Sequence, residues 1–225
     1  MKTLNALLIL ALGIALSACA HKKSADDVCN ETIPASDGRP TILVIGDSIS
    51  IGWMNQVIAN DSLPNYQVVH NPCNAKFSTY TLENIDGWLS ARPQFYAIVW
   101  NNGLWDIASW VNTSGSDYQL NEAEIAHKIM AKTSRPLFLL TTGVPVNTPY
   151  RNDANVAAYN ALAVQVINTE LGLPVLDLYT ASHSAPIVNE HVDPVQQDDV
   201  HYTTQGYNDI AALVLNELNA LYGIQ

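Results

Sequence analysis

Apolar and polar positions follow one another in blocks that predict β-strands and α-helices in turn. Five short apolar runs lie between residues 41 and 179. They are typical of buried strands, because a strand covered on both faces has no polar side. The runs are TILVIG (41–46), YQVVH (66–70), YAIVW (96–100), PLFLLTT (136–142) and PVLDLY (174–179).

Between these runs, apolar residues recur at three- and four-residue spacing, which predicts amphipathic helices. The predicted helices are ISIGWMNQVIAN (49–60), STYTLENIDGWLSA (78–91), EAEIAHKIMAKT (122–133), NVAAYNALAVQVINTELG (155–172) and TQGYNDIAALVLNELNALYG (204–223). Strands that alternate with helices predict an α/β fold in which a five-stranded parallel sheet lies between two helical layers. Ligands of such folds bind beyond the carboxyl ends of the strands.

The first 39 residues do not follow this pattern. Residues 1–18 combine one lysine with a long apolar run and a small-residue end, which is typical of a secretory signal peptide. The end of this segment, LSAC (16–19), resembles the bacterial lipobox, which implies a lipid on Cys19. Cleavage of a plain signal peptide near SACA is the alternative. Residues 19–39 are polar and predict a flexible tether, so the folded domain spans 40–225.

The composition restricts the partners and the compartment. The formal net charge is −11, and it is −12 without residues 1–18, which contain Lys2 and no acid. An acidic chain argues against nucleic acid as a partner. The lipobox resemblance, with Ala20 after Cys19, implies an outer-membrane lipoprotein that faces the periplasm or the cell surface. We expect membrane contact only through the lipid. Such a compartment permits a disulfide between Cys29 and Cys73.

Two short motifs carry candidate chemistry at the sheet edge where ligands bind. Ser48 follows the first strand in GDSIS, and a serine there either caps the helix or acts as a nucleophile. A nucleophilic serine needs a histidine base that is oriented by a carboxylate. His201 stands just before the last helix in QQDDVHYTTQGY, three residues after Asp198. Asp199 is an alternative orienting residue.

The Gly-Asp-Ser block after the first strand and the D-x-x-H block before the last helix together resemble the SGNH, or GDSL, hydrolase family. The resemblance covers residues 40–225 and implies a flavodoxin-like α/β/α sandwich. It implies that Ser48 is the nucleophile, His201 the base and Asp198 the orienting carboxylate. An α/β-hydrolase is disfavoured because the chain has no G-x-S-x-G elbow.

The oxyanion hole that the resemblance implies departs from the family pattern. The backbone N–H of Ser48 is one expected donor. The family takes a second N–H from a glycine after strand two, whereas this chain has HNPCNAKFSTY there, so the donor would be Cys73, Asn74 or Ala75. The third block, usually G-x-N-D, is WNNGLWDI and resembles a variant with N-x-G-L-[HW]-D. It implies an amide donor at Asn101, with Asn102 in reserve.

Four further residues are candidates for substrate contact. Trp105 and Trp110 lie in the long loop GLWDIASWVNTSGSDY, where they either stack on a sugar, border an acyl pocket or pack internally. We include Asn102 and Asp47 with them, although Asp47 also suits a role in shaping the turn. The segment 180–197 is long for a connection and is expected to form one wall of the site.

The resemblance implies ester hydrolysis through an acyl-serine intermediate by a monomer that uses no cofactor. The acyl group would be acetyl or another short chain, and the alcohol would be a carbohydrate. Thioesterase or lysophospholipase activity is a close alternative. A non-catalytic lipoprotein that binds envelope glycan on a hydrolase scaffold is a second alternative. A third is a metal site, for which the candidate ligands are His191, Asp193, Asp198, Asp199 and His201.

Overall fold

The computed structural model describes residues 31–193 and 199–225. It contains one sheet of five parallel strands in the order β2-β1-β3-β4-β5. The strands are β1 (Thr41–Ile45), β2 (Gln67–His70), β3 (Ala97–Trp100), β4 (Pro136–Leu139) and β5 (Val175–Leu176). The helices are α1 (Ser48–Ala59), α2 (Ser78–Leu89), α3 (Gly115–Met130), α4 (Asp153–Ala163), α5 (Leu178–Ser182) and α6 (Thr204–Tyr222). This strand order is that of flavodoxin-like folds, so the predicted architecture is confirmed.

Alternate residues of each strand pack against opposite helical layers. Ile42 and Val44 of β1 lie in the core beneath α1 and α6. Leu43 and Ile45 point the other way, into the core beneath α2 and α3. Both faces of the sheet are therefore shielded from water, which explains why the strand sequences are continuously apolar rather than alternating between apolar and polar residues.

The predicted elements differ from the observed ones mainly at their ends. Helix α3 begins seven residues earlier than predicted, because the Ser114 side chain accepts the Asp117 N–H and caps it. The fifth predicted strand is shorter, because Asp177 caps a new helix, α5, from Leu178. The long helix predicted over 155–172 is α4 followed by a π-helical stretch, Val164–Glu170.

The sheet brings four loops to one edge. The connections after β1, β2, β3 and β4 all leave from the carboxyl ends of parallel strands, so GDSIS, HNPCNAKFSTY and WNNGLWDI meet there. Cys73 of the second loop is disulfide-bonded. The other two cysteines, Cys19 and Cys29, lie outside the described residues, as do the predicted signal peptide and most of the tether. Among the described helices, none is both long and apolar enough to cross a membrane.

Candidate active site

Ser48 is the first residue of α1, at the point where β1 ends. Asp47 caps this helix, because its Oδ1 accepts the Ile49 N–H at 3.0 Å. Gly46 fits this turn because its neighbours leave no room for a side chain. A Cβ at this position would lie 2.2 Å from Asn101 Oδ1 and 2.3 Å from Ser50 Oγ. The turn therefore holds the Ser48 hydroxyl at the carboxyl edge of the sheet, at the positive end of a helix dipole.

His201 lies against this serine. Its Nε2 is 2.9 Å from Ser48 Oγ, although the two residues are 153 positions apart in the chain. The other ring nitrogen, Nδ1, is 3.1 Å from Asp199 Oδ1, and this oxygen also accepts the His201 backbone N–H at 3.0 Å. Asp198, which the family spacing favours as the orienting residue, lies outside the described residues, so its role stays a prediction.

The segment that carries His201 is anchored on both sides. Val192 N–H donates to the His201 carbonyl at 3.0 Å, and Thr203 N–H donates to the Glu190 carbonyl at 2.7 Å. The Thr203 hydroxyl also donates to the Glu190 carboxylate. These bonds fix the backbone before and after the histidine, so the imidazole does not depend on its side-chain contacts alone for its position.

The loop after β2 lies beside the serine turn. The buried Asn71 accepts the Gly46 N–H on its Oδ1 at 2.9 Å, and Ala75 N–H donates to the Gly46 carbonyl at 2.8 Å. Cys73 has a φ of 56°, the left-handed conformation that favours glycine. This position therefore has the backbone shape that a glycine would otherwise supply.

Of the three candidates for the second backbone donor, two are already engaged. Cys73 N–H donates to Glu31 Oε2 at 2.8 Å, which is evidence against the expectation that it serves an oxyanion. Ala75 N–H is held by Gly46. Within the described part of the chain, the N–H groups of Asn74 and Ser48 have no acceptor. They are the backbone donors that an oxyanion could use.

Asn101 directly follows β3, and its side chain lies beside residues that flank the serine. The Ser50 hydroxyl donates to Asn101 Oδ1. Burial raises the pKa of Asp47, and the Asn101 amide opposes this rise together with the N–H groups of Ile49 and Ser50. Asp47 Oδ2 makes no well-formed hydrogen bond among the described residues. The Asn101 amide is therefore near this carboxylate but does not make a well-formed hydrogen bond to its Oδ2.

Burial argues against two of the expected substrate contacts. Asp47 and Asn102 are each 1% exposed, so neither presents its side chain to a ligand at the surface. Asp47 caps α1, as the turn-shaping alternative required. Asn102 donates its amide to Thr81 Oγ1 at 2.9 Å and thereby joins the loop after β3 to α2.

The two tryptophans of the third block have different surroundings. Trp105 is half-buried, whereas Trp110 is 53% exposed. The Arg151 guanidinium lies over both rings, at 5.9 Å from the Trp105 centroid and 4.8 Å from that of Trp110. Internal packing therefore accounts for Trp105 but not for the exposed part of Trp110.

A second histidine–carboxylate pair lies at the same edge. Asp153 Oδ2 accepts the Tyr179 hydroxyl at 2.6 Å and lies 3.0 Å from His183 Nε2, while Asp153 Oδ1 accepts the Val144 N–H. The His183 Nδ1 is 2.8 Å from the Tyr179 carbonyl. Because all of these contacts are made to other residues of the protein, we interpret the pair as a structural link between the loop after β4 and α5.

The metal hypothesis finds little support in the described residues. Across 31–193 and 199–225, no three His, Cys, Asp or Glu side chains converge as ligands of one ion. The His191 ring instead packs on Tyr202, with centroids 4.3 Å apart, and burial lowers its pKa. Asp198, one of the five proposed ligands, lies outside these ranges.

Several residues of the site were not found by sequence reasoning. Asn71, Ser50, Glu190 and Arg151 act through hydrogen bonds or ring contacts to other loops. Ser50 lies in the first turn of α1, within the recognised GDSIS motif, and Asn71 directly follows β2, so the positions of both were an available signal. Glu190 and Arg151 had no such signal, because their partners are distant in the sequence.

The assembled groups are those that acyl transfer requires. A serine hydroxyl lies within hydrogen-bond distance of an imidazole, and the imidazole lies next to a carboxylate. Two unengaged N–H groups and one amide lie at the same edge, where charge would develop on a carbonyl oxygen. No group in this set needs a metal ion or an organic cofactor for that chemistry.

Comparisons with known proteins agree with this fold. No family model and no curated protein matches the chain. Among solved structures, a lipase/acylhydrolase from Enterococcus faecalis matches with a TM-score of 0.65 and 19% identity, over 81% of this chain and 96% of that one. A member of the lipolytic protein G-D-S-L family from Veillonella parvula matches with a TM-score of 0.63 and 19% identity, over 78% and 96%.

An acetylxylan esterase from Geobacillus stearothermophilus matches with a TM-score of 0.61 and 12% identity, over 82% of this chain and 95% of that one. Each of these structures is covered almost completely, so the likeness extends over a whole domain rather than over a shared half. At these identities the comparison establishes the architecture. The chain therefore has the fold of the G-D-S-L acylhydrolases and esterases.

Proposed function

We propose that this protein is a serine ester hydrolase of the SGNH, or GDSL, type. The observation that carries the proposal is the 2.9 Å approach of His201 Nε2 to Ser48 Oγ. A helix-capping serine has no need of such a partner, and the helix already has Asp47 as its cap. The fold of named esterases and acylhydrolases is a second, independent support.

The mechanism follows from the positions of these groups. His201 takes the Ser48 proton as the hydroxyl attacks the ester carbonyl, and it then gives this proton to the departing alcohol. The N–H groups of Ser48 and Asn74 and the Asn101 amide stabilise the tetrahedral oxyanion. Water, activated by the same imidazole, then hydrolyses the acyl-serine and releases the acid.

The substrate that we propose is an acetyl or other short-chain ester, carried by a carbohydrate. The small cavity beneath the serine turn is lined by Asp47, Ser50 and Trp53 among others, but not by Ser48 itself, so it is not the acyl site. The family resemblance and the acetylxylan esterase among the fold neighbours are consistent with an acetylated sugar.

A fluorophosphonate probe and a series of chromogenic esters test this function directly. We expect the probe to label Ser48, and we expect acetate and butyrate esters to be hydrolysed faster than octanoate esters. Ser48→Ala should prevent labelling and lower kcat by about 10⁴- to 10⁶-fold, because nucleophile and base act as one unit. A Ser48→Ala protein that keeps near-normal esterase activity would show that this serine is not the nucleophile.

Two adjacent carboxylates compete for the role of orienting His201. The D-x-x-H spacing favours Asp198, and the described contact favours Asp199. Asp198→Asn and Asp199→Asn change charge without changing size, so each isolates one carboxylate. The variant that lowers kcat by about 10² to 10⁴ identifies the orienting residue, since the wrong histidine tautomer is then favoured. Equal, small effects from both would contradict the triad.

The location remains part of the proposal. A lipid on Cys19 would tether the domain to the outer membrane through residues 19–39, facing the periplasm or the cell surface. Cys19→Ser should then release the protein from membranes or leave its leader uncleaved. Mass spectrometry of the native protein should find an acylated cysteine at its N-terminus, and a mature N-terminus at another residue would refute the lipoprotein proposal.

A further inference from the structure

Two aromatic side chains are exposed at the catalytic edge of the sheet, although both are firmly supported. Trp110 is 53% exposed and Tyr150 is 42% exposed, and their ring centroids are 5.6 Å apart. Trp110 belongs to the loop after β3 and Tyr150 to the loop after β4. Ser109 N–H donates to the Tyr150 carbonyl at 3.0 Å and joins the two loops. We call these two side chains the aromatic platform.

The platform is supported by Arg151, which lies against the Trp110 ring, and by hydrogen bonds of the backbone next to Tyr150. Arg151 is 5% exposed, lies 4.8 Å from the Trp110 ring centroid and donates its Nε–H to the Leu104 carbonyl at 2.8 Å. Thr148 Oγ1 accepts the N–H groups of Tyr150 and Arg151, each at 3.1 Å. The rings are therefore held in place before any ligand arrives, so binding to them costs little conformational entropy.

The loops that carry the platform expose no charged residue. Residues 107–116 and 136–150 lack Asp, Glu, Lys and Arg, in a chain whose formal net charge is −11. The charged residues that these loops do contain, Asp106 and Arg151, are only 0% and 5% exposed. Exposed residues of the same two loops are all uncharged: Ser109, Asn112 and Asn147 are polar, and Val146 and Pro149 are apolar. An anionic ligand would need cations on this surface, and a membrane-binding face would combine its aromatic residues with lysine and arginine. This surface suits a neutral ligand that carries hydroxyl groups.

A sugar ring has this chemistry. Its C–H groups form an apolar face that packs on the negative face of an aromatic ring, and its hydroxyl groups reach the amides and hydroxyls around it. An acyl chain, by contrast, is bound in an enclosed apolar pocket, because it gains by leaving water on all sides. Two solvent-exposed, tilted rings in uncharged loops suit a sugar ring better than an acyl chain.

The platform lies at the same edge of the sheet as the nucleophile and is connected to it through shared contacts. Leu104, which holds Arg151, lines the same small cavity as Asp47, the neighbour of Ser48. The charge of Arg151 also acts on the pKa of Asp47 and lowers it, against the larger effect of burial. Only a few side chains therefore separate the platform from the serine turn.

We propose that Trp110 and Tyr150 form a stacking platform for a neutral sugar ring of the esterified substrate. The proposal rests on the ester hydrolase function and deepens it, since it assigns the alcohol part of the substrate to a surface. Tyr150 and Arg151 thereby join Trp110 as determinants of specificity, with Arg151 acting through the Trp110 ring rather than on the ligand.

The experiment compares acetate esters with and without a sugar. Glucose pentaacetate and xylose tetraacetate carry the ester on a pyranose ring, whereas glycerol triacetate carries it on a flexible triol. We expect Trp110→Ala and Tyr150→Ala each to raise KM for the acetylated sugars about 3- to 10-fold, the range for one aromatic contact. For glycerol triacetate, kcat/KM should stay within twofold of the wild-type value. Ile58→Ala, an exposed apolar residue in the last turn of α1, is the matched control.

Each outcome separates this proposal from the proposed function. If the wild type hydrolyses glycerol triacetate but neither acetylated sugar, the platform proposal is wrong and the esterase function stands. If the two variants lose activity on all three esters alike, or on none, the rings do not recognise the sugar. If they instead weaken the preference between vinyl acetate and vinyl hexanoate, the surface binds the acyl chain. A wild type that hydrolyses no ester would refute the function itself.

Discussion

At the scale of single residues, Asn101 and Asn102 are neighbours in the sequence whose amides have different surroundings. Asn101 contacts Ser50 and lies near Asp47, both within two residues of the proposed nucleophile, Ser48. Asn102 is buried against Thr81 and away from that turn. Neighbouring residues at a strand end point to opposite sides of the sheet, which accounts for the difference.

This difference makes the pair a test of the oxyanion hole. Asn101→Ala should lower kcat by about 10²- to 10³-fold and leave KM nearly unchanged, because the hydrogen bond from the Asn101 amide to the substrate oxygen strengthens as negative charge develops on that oxygen. Asn102→Ala should leave kcat near the wild-type value and lower the free energy of unfolding by about 1–3 kcal/mol, since Thr81 loses its buried partner. Steady-state kinetics and urea denaturation measure the two effects.

The reverse result has a defined meaning. A large loss of kcat from Asn102→Ala, with a silent Asn101→Ala, would show that the register of this block is wrong by one residue. Silence at both positions would leave the backbone N–H groups of Ser48 and Asn74 as the whole oxyanion hole.

At the scale of elements, the start of α6 has two tasks. Thr203 caps the helix by accepting the Gly206 N–H at 3.2 Å, and its hydroxyl donates to Glu190. His201 stands two residues earlier on the same stretch of chain. The cap that stabilises the helix therefore also fixes the proposed catalytic base, His201.

Thr203→Val removes the hydroxyl and keeps the shape of the side chain. We expect the free energy of unfolding to fall by about 1 kcal/mol, which is typical for the loss of a cap. We also expect kcat to fall about 10-fold, because a small displacement of the base has a large effect on proton transfer. Thr203→Ser keeps the hydroxyl and should stay within twofold of the wild type. A Thr203→Val variant that is less stable but fully active would show that Glu190 and Thr203 support only the helix.

At the scale of the whole molecule, one acid is buried in the core away from the active site. Glu122 of α3 is 0% exposed, and its Oε2 accepts the Trp100 indole N–H at 3.3 Å. Its Oε1 has no partner among the described residues. Burial raises the pKa of Glu122 well above its usual value, and the nearby Asp106 carboxylate raises it further.

This shift makes the stability of the fold depend on pH. Below a pH of about 4.5, the unfolded value for glutamate, Glu122 is protonated in both the folded and the unfolded chain. As the pH rises above this value, the unfolded chain loses the proton while the folded one keeps it. The contribution of this residue to stability therefore falls with rising pH, up to the raised pKa of the folded state.

Glu122→Gln should remove this dependence. We expect the variant to gain stability relative to the wild type as the pH rises from 5 to 8, with the gain read from urea denaturation at each pH. Glu124→Gln, on the exposed face of the same helix, is the control and should follow the wild type. A constant difference between Glu122→Gln and the wild type over this range would mean that Glu122 is already ionised in the folded protein.

The sequence alone determined the order of strands and helices and therefore the architecture. Apolar periodicity reflects which faces are buried, and this information is local to each element. The same local information placed Ser48 after β1, His201 before α6 and the asparagines after β3. Because carboxyl ends of parallel strands share one edge, these positions were predicted to meet before any distance was known.

Only the tertiary structure decided which side chains touch across that edge. It showed that Cys73 N–H donates to Glu31, whereas Asn74 N–H has no acceptor among the residues that the structure describes, and that Arg151 supports Trp110. It also joined Asp153 to His183, thirty residues further along the chain. Such contacts depend on the dihedral angles of loops and on the rotamers of partners that are distant in sequence, and no periodic pattern records either of them.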